Sequence, residues 1–226
     1  MRVRRLVMLR HGQTEYNAGS RMQGQLDTDL TDLGREQAVA AAEVLAKRQP
    51  LAIWSSDLRR AFDTAVALSE RSGVAVRTDE RLRETHLGEW QGLTHLEVDA
   101  RAPGARLVWR NDSRWAPPGG ESRVDVAARS KPAVADLIGE LPEWGLDQAG
   151  ADAGRPVVLV AHGGLIAALT AALLDLPVDN WPILGGMGNA SWVQLSGHSA
   201  VDAPPEEIRW RLDVWNASAQ VANDVL

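Results

Sequence analysis

Two apolar runs in this sequence each end in a histidine and a glycine. Leu6-Val7-Met8-Leu9 leads into Arg10-His11-Gly12, and Val157-Val158-Leu159-Val160-Ala161 leads into His162-Gly163. If the runs are neighbouring strands, both histidines face one crevice at the carboxyl end of a sheet, where open α/β sheets take their ligands. Arginines gather at the same edge. Arg10 precedes His11, and Arg59-Arg60 lie in the first turn of an expected helix. A helix N-terminus favours anions, and a guanidinium there binds phosphate bidentately. Adjacent helical residues point about 100° apart, so one of Arg59 and Arg60 is expected to be a solvated surface charge. Asn17 and Gln23, in the loop after the first run, add amide donors. Glu84 follows a third apolar run, and an acid beside an arginine-rich anion pocket is the group to protonate a leaving oxygen.

The elements that must position these groups alternate in type. Strands are expected at Arg5–Leu9, Leu51–Trp54, Val74–Arg77 and Val157–Ala161. Apolar runs of this length bounded by turn residues read as buried strands. Helices are expected from Thr31, a plausible N-cap, to about Arg48, from Leu58 to about Arg71 behind the caps Ser55-Ser56-Asp57, from Glu121 to about Leu141, and after Gly164 to Leu176. Ser191–Leu195 and Ile208–Trp215 alternate like half-exposed strands. This order predicts a single domain over 1–226, a three-layer α/β/α sandwich on a mostly parallel sheet. Residues 85–120, with Trp90, Trp109 and Trp115, read as an irregular insertion covering the site. Residues 145–155 read as an exposed loop.

Composition removes several alternatives. The 226 residues contain no cysteine, which excludes disulfides, thiolate metal sites and a thiol nucleophile. There are 24 basic and 30 acidic side chains, a net charge of -6, which argues against nucleic acid as a partner. The charge is uneven. Residues 1–90, which hold the anion-site residues other than His162, carry 14 cations against 13 acids, and the remainder carries 10 against 17. No run is long enough for a membrane helix or a signal-peptide core, so the expectation is a cytoplasmic chain without a membrane partner. Asp27-Thr28-Asp29-Leu30-Thr31 matches an aspartyl-phosphate pattern but lacks the buried strand before it. Gly186-Met187-Gly188 lacks the flanks of a dinucleotide loop. His86 and His95 have no partners at a zinc spacing.

Leu9-Arg10-His11-Gly12-Gln13-Thr14-Glu15-Tyr16-Asn17 resembles the signature of the histidine phosphatase superfamily, with its phosphoglycerate mutase-like fold. Four further stretches resemble that family's motifs in order. They are Ser55 to Ala65 around Arg60, Leu82-Arg83-Glu84 with Gly88 and Gly92, Pro118-Gly119-Gly120-Glu121-Ser122, and Val160-Ala161-His162-Gly163. The resemblance implies that His11 is the nucleophile and forms a phosphohistidine. It implies that Arg10, Arg60 and His162 hold the phosphoryl oxygens, that Asn17, Gln23 and Gly163 assist, and that Glu84 is the general acid and then the base. These roles are physically coherent. A neutral imidazole is a competent nucleophile near pH 7, and phosphoryl transfer rests on positioning and charge stabilisation. With arginines supplying the positive charge, no metal and no cofactor is required. The implied partner is a small phosphorylated metabolite, and the implied assembly a homodimer. Thr14, Tyr16 and Gly164 stand where mutase members have Ser, Trp and Asn, which favours hydrolysis. A broad-specificity phosphatase, a mutase and a non-catalytic binding module of the same fold are the rival readings.

Overall fold

All six residues of Pro156–Ala161 are buried, and the strand they form lies inside a six-stranded sheet. The computed structural model describes residues 1–146 and 154–219. In chain order the main elements are β1 (Arg2–Arg10), α1 (Glu15–Ala18), α2 (Asp32–Ala46), β2 (Ala52–Ser55), α3 (Arg59–Ser72), β3 (Val76–Thr78), α4 (His95–Arg101), α5 (Ala105–Asn111), α6 (Arg123–Glu140), β4 (Pro156–Ala161), α7 (Gly163–Leu173), β5 (Trp192–Ser199) and β6 (Arg209–Ala217). The strand order is β3-β2-β4-β1-β5-β6. β3, β2, β4 and β1 pair in parallel, while β5 runs antiparallel to both β1 and β6.

Alternation along the central strands divides the core into two layers. Val7, Leu9, Val158 and Val160 pack with Ala41, Leu45, Ala61, Ala65 and Leu68 of α2 and α3. Leu6, Met8, Leu159 and Ala161 pack with Val134, Leu137, Ile166 and Leu169 of α6 and α7. This is the three-layer sandwich expected from the sequence. The β1–β4 register sets Leu9 beside Val160 and Arg10 beside Ala161. His11 and His162 are the next residues on the two strands, so they leave the sheet side by side.

Three local expectations differ from the structure. Ser55, Ser56 and Asp57 do not cap α3. Leu58 is its N-cap, with no side-chain bond, and the Arg59 N–H donates to Asp27 Oδ1 at 2.8 Å. Asp57 is engaged instead by Arg83 Nε at 2.8 Å. The helix after Gly164 stops at Leu173, three residues early. Residues 85–120 are less irregular than expected, since they contain α4 and α5. A capping box between Thr94 and Glu97 starts α4, and a small cluster of Met22, Leu87, Trp90 and Val98, joined by Trp109 and Trp115, holds the segment down. Most of the loop expected at 145–155 lies outside the described residues. No described helix is long and apolar enough to cross a membrane.

Candidate active site

The loop after β1 turns where two glycines meet. A Cβ on Gly12 would lie 2.1 Å from the Gly34 carbonyl oxygen, and one on Gly34 would lie 2.0 Å from that of Gln13. Only glycine lets this loop sit on the first turn of α2. The Gly12 N–H donates to Thr64 Oγ1 of α3 at 3.1 Å, and that hydroxyl donates to the Arg60 carbonyl at 2.8 Å. The loop carrying His11 and the turn carrying Arg60 are thereby locked together.

His11 is buried, and its Nδ1 lies 2.7 Å from the Gly12 carbonyl oxygen. A carbonyl only accepts, so Nδ1 carries the proton and Nε2 keeps its lone pair. Burial, then the Arg60 and Arg10 charges, push the imidazole well below its usual pKa, so it is neutral near pH 7. The His162 ring centroid is 5.2 Å away. His162 is fully buried, is depressed by burial and then by the Arg60 charge, and has no hydrogen-bond partner on either nitrogen.

Arg60 is 1% exposed. Its Nη atoms donate to the Leu26 and Gly24 carbonyls, each at 2.8 Å, while its buried Nε has no partner. Burial lowers its pKa to about 10, which leaves it cationic at neutral pH. Arg10 donates through Nη1 to the Met187 carbonyl and likewise has a buried, unpartnered Nε. Arg59 is the solvated member of its pair, bound to Asp29 at 2.8 Å. Asp27 and Asp29 thus serve α3 and Arg59, as the rejection of the aspartyl-phosphate pattern requires.

The two amides are committed at their oxygens. Asn17 Oδ1 accepts from the Thr14 N–H at 3.1 Å and from Asn189 Nδ2 at 3.0 Å. Gln23 Oε1 accepts from Thr28 Oγ1 at 2.8 Å. Both amides therefore keep NH2 groups for the cavity they line. That cavity holds about 150 Å³ and is lined by Arg10, His11, Asn17, Gln23, Arg60 and Glu84, with Arg21, Gly24, Thr85, Leu87, Trp109 and Gly164 completing its wall. His162, buried behind His11, and Gly163 are not in the wall. Gly163 lies beneath Arg10, where a Cβ would be 3.5 Å from Nε. A larger cavity of about 340 Å³ beside α6, α7 and β6 is lined by Lys131, Asp175, Glu206 and Arg209 over an apolar floor, with no histidine.

Residues 6–216 match the model of the histidine phosphatase superfamily, branch 1. This chain belongs to that superfamily. Two relatives of the histidine phosphatase are similar over their full length and that of this chain. They are the glucosyl-3-phosphoglycerate phosphatases of Mycolicibacterium vanbaalenii, 79% identical over 229 residues, and Mycobacterium tuberculosis, 75% identical over 227. The solved structure of a mycobacterial glucosyl-3-phosphoglycerate phosphatase with inorganic phosphate is 73% identical, with a TM-score of 0.88, covering 97% of this chain and 100% of that one. A complex of such an enzyme with VO3 is 74% identical, with a TM-score of 0.90, covering 95% and 100%.

Sequence reasoning missed three contributors to the site of this histidine phosphatase. Asn189 donates to the His11 carbonyl at 3.2 Å as well as to Asn17. Arg129 of α6 donates to the carbonyls of Arg81 at 2.7 Å and Glu84 at 2.9 Å, and it pairs with Glu121 at 2.7 Å. Trp109 enters the cavity wall from α5. None of them stands at the end of a strand, which was the available signal.

Proposed function

We propose that this phosphatase hydrolyses glucosyl-3-phosphoglycerate through a phosphohistidine on His11. The observation that carries the reading is the set of buried, unpartnered donors of Arg10 and Arg60 around a cavity that also holds His11. Buried N–H groups of this kind demand an acceptor, and a phosphoryl dianion supplies several. The His11 Nε2 lone pair attacks phosphorus as the bond to the leaving oxygen breaks. Glu84 gives that oxygen a proton. Arg10, Arg60, His162, Asn17 and Gln23 hold the equatorial oxygens, where charge stabilisation dominates the rate. Water then attacks the phosphohistidine, Glu84 takes its proton, and inorganic phosphate leaves with His11 neutral again.

The substrate reading is supported by the 75–79% identity to two glucosyl-3-phosphoglycerate phosphatases. On that reading the product, glucosylglycerate, enters methylglucose lipopolysaccharide synthesis in the cytoplasm. Assembly as a homodimer is part of the same proposal. It is supported by β6, which ends the sheet and offers nine residues of backbone on its open edge; a monomeric mass in light scattering would refute it.

The test compares kcat/KM for glucosyl-3-phosphoglycerate, its mannosyl analogue, 3-phosphoglycerate and an aryl phosphate. The glucosyl substrate is expected to lead by tenfold or more, with His11→Ala inert on all four and unable to take up an acid-labile phosphoryl group. Equal rates on all four would replace the substrate assignment with broad specificity. An active His11→Ala would remove the phosphohistidine.

A further inference from the structure

The peptide group that receives the His11 proton is itself gripped from outside the cavity. His11 Nδ1 donates to the Gly12 carbonyl at 2.7 Å. That carbonyl shares its peptide group with the Gln13 N–H, which donates to Gln37 Oε1 of α2 at 2.9 Å. Imidazole, peptide and side-chain amide thus form one hydrogen-bonded chain. Gln37 is absent from the cavity wall, so it reaches the nucleophile through this peptide.

Helix α2 is shaped for the contact. Gly34 and Gln37 lie three residues apart on one face of it. A Cβ on Gly34 would lie 2.9 Å from the Gln13 nitrogen, so the bare backbone at Gly34 lets Gln13 come within reach of a side chain one turn further on. The Thr31 N–H donates to the Gln13 carbonyl at 2.9 Å. Both backbone groups of Gln13 are therefore held by α2 and its cap. A backbone N–H only donates, so Gln37 must present its oxygen and not its NH2 group.

The chain has a chemical consequence. Which nitrogen of a neutral imidazole carries the proton is set by the bond that the other nitrogen makes. A neutral histidine in water prefers the proton on Nε2, where it blocks the lone pair needed for attack. The Gly12 carbonyl reverses that preference, and a peptide already donating at its N–H is the stronger acceptor at its oxygen. As Nε2 bonds to phosphorus the ring gains positive charge, so the bond from Nδ1 tightens in the transition state, where a contact accelerates the reaction. We infer that Gln37 is a positioning residue for the nucleophile, fixing the reactive tautomer of His11 through the Gly12–Gln13 peptide. The inference rests on the proposed nucleophilic role of His11.

The test uses Gln37→Met, which keeps the length of the side chain and removes the amide acceptor, and Gln37→Glu, which keeps an oxygen in place, each in the full chain. Attack by His11 enters kcat/KM for glucosyl-3-phosphoglycerate and for an aryl phosphate alike. Gln37→Met is expected to lower both tenfold or more, while inhibition by inorganic phosphate stays within threefold because the arginines are untouched. Gln37→Glu is expected to stay within threefold of the wild type on both substrates. Nitrogen NMR of histidine-labelled protein, with the His11 signals assigned by their loss in His11→Ala, is expected to show a protonated Nδ1 and a bare Nε2 in the wild type and a mixture of tautomers in Gln37→Met. If Gln37→Met leaves the rates and the tautomer unchanged while His11→Ala is inert, the phosphohistidine stands and the role of Gln37 falls. If Gln37→Glu loses as much as Gln37→Met, or if phosphate inhibition weakens in step with the rate, the loss is one of local packing and the inference is wrong. An active His11→Ala removes the nucleophile, and the inference with it.

Discussion

Asn17 presents one end of its amide to the cavity because the other end is already taken. Its oxygen accepts from Thr14 and Asn189, so the NH2 group remains for a phosphoryl oxygen. Asn17→Asp keeps both acceptor bonds and the capping box of α1 while placing an anionic oxygen where a donor stood. The expected result is a tenfold or larger loss in kcat/KM, about 1.4 kcal/mol or more of transition-state stabilisation, with the melting temperature held. Competitive inhibition by inorganic phosphate should weaken in parallel; unchanged inhibition would show that Asn17 does not face the anion. The positions of His11, His162 and Arg60 were legible in the sequence because each stands at the carboxyl end of a strand or in the first turn of a helix, whereas Glu84 lies six residues beyond β3. The orientation of the amides was not, because it depends on Asn189, 172 residues away from Asn17. Nor could spacing tell Arg60 from Arg59. The choice is made by the Gly24 and Leu26 carbonyls on one side and Asp29 on the other.

The segment that carries Glu84 lies between two single 3-10 turns, Glu80–Leu82 and Gly88–Trp90, and α6 holds it. Arg129 reaches from that helix to the carbonyls of Arg81 and Glu84, while Glu121 orients Arg129 and accepts the His86 N–H at 2.8 Å. Arginine's fork suits this several-way contact, and lysine cannot reproduce it. Arg129→Lys is therefore expected to lower kcat on the sugar phosphate several-fold and the aryl phosphate much less, because the loop that carries Glu84 loosens while the arginines around His11 stay in place. A uniform loss on both substrates would move Arg129 out of the acid's support and into the general fold. The long helices and central strands could be read from periodicity, since each spans several turns or a full buried run. α4 and α5 could not. Each has seven residues, two turns, and stays in place through the capping box at Thr94 and through Trp90, Trp109 and Trp115. Tertiary contacts of this kind leave no period in the sequence.

Across the molecule, the same burial that prepares the site makes it sensitive to acid. His11 and His162 are fully enclosed, and both are held well below the usual imidazole pKa by burial and by the nearby arginines. In the unfolded chain each takes up a proton near pH 6.5, and in the folded chain neither does. Where the unfolded state binds more protons, stability falls as pH falls. From pH 7.5 to 5.5 each histidine should therefore lower the unfolding free energy. The paired carboxylates do not contribute in this range. Asp57 and Glu121 are held below their usual values, so their stabilisation is lost only at lower pH. Urea unfolding at the two pH values is expected to show a lower unfolding free energy at pH 5.5 for the wild type, to which His95, also depressed by burial, adds with the same sign. His162→Gln, which cannot take up a proton, should show a smaller drop. An equal drop in both proteins would mean that His162 is already protonated in the fold, which would contradict its burial beside Arg60 and Arg10. Inorganic phosphate at about 100 times its dissociation constant should add about 2.7 kcal/mol, because a dianion in the cavity satisfies the donors whose burial this fold otherwise leaves uncompensated.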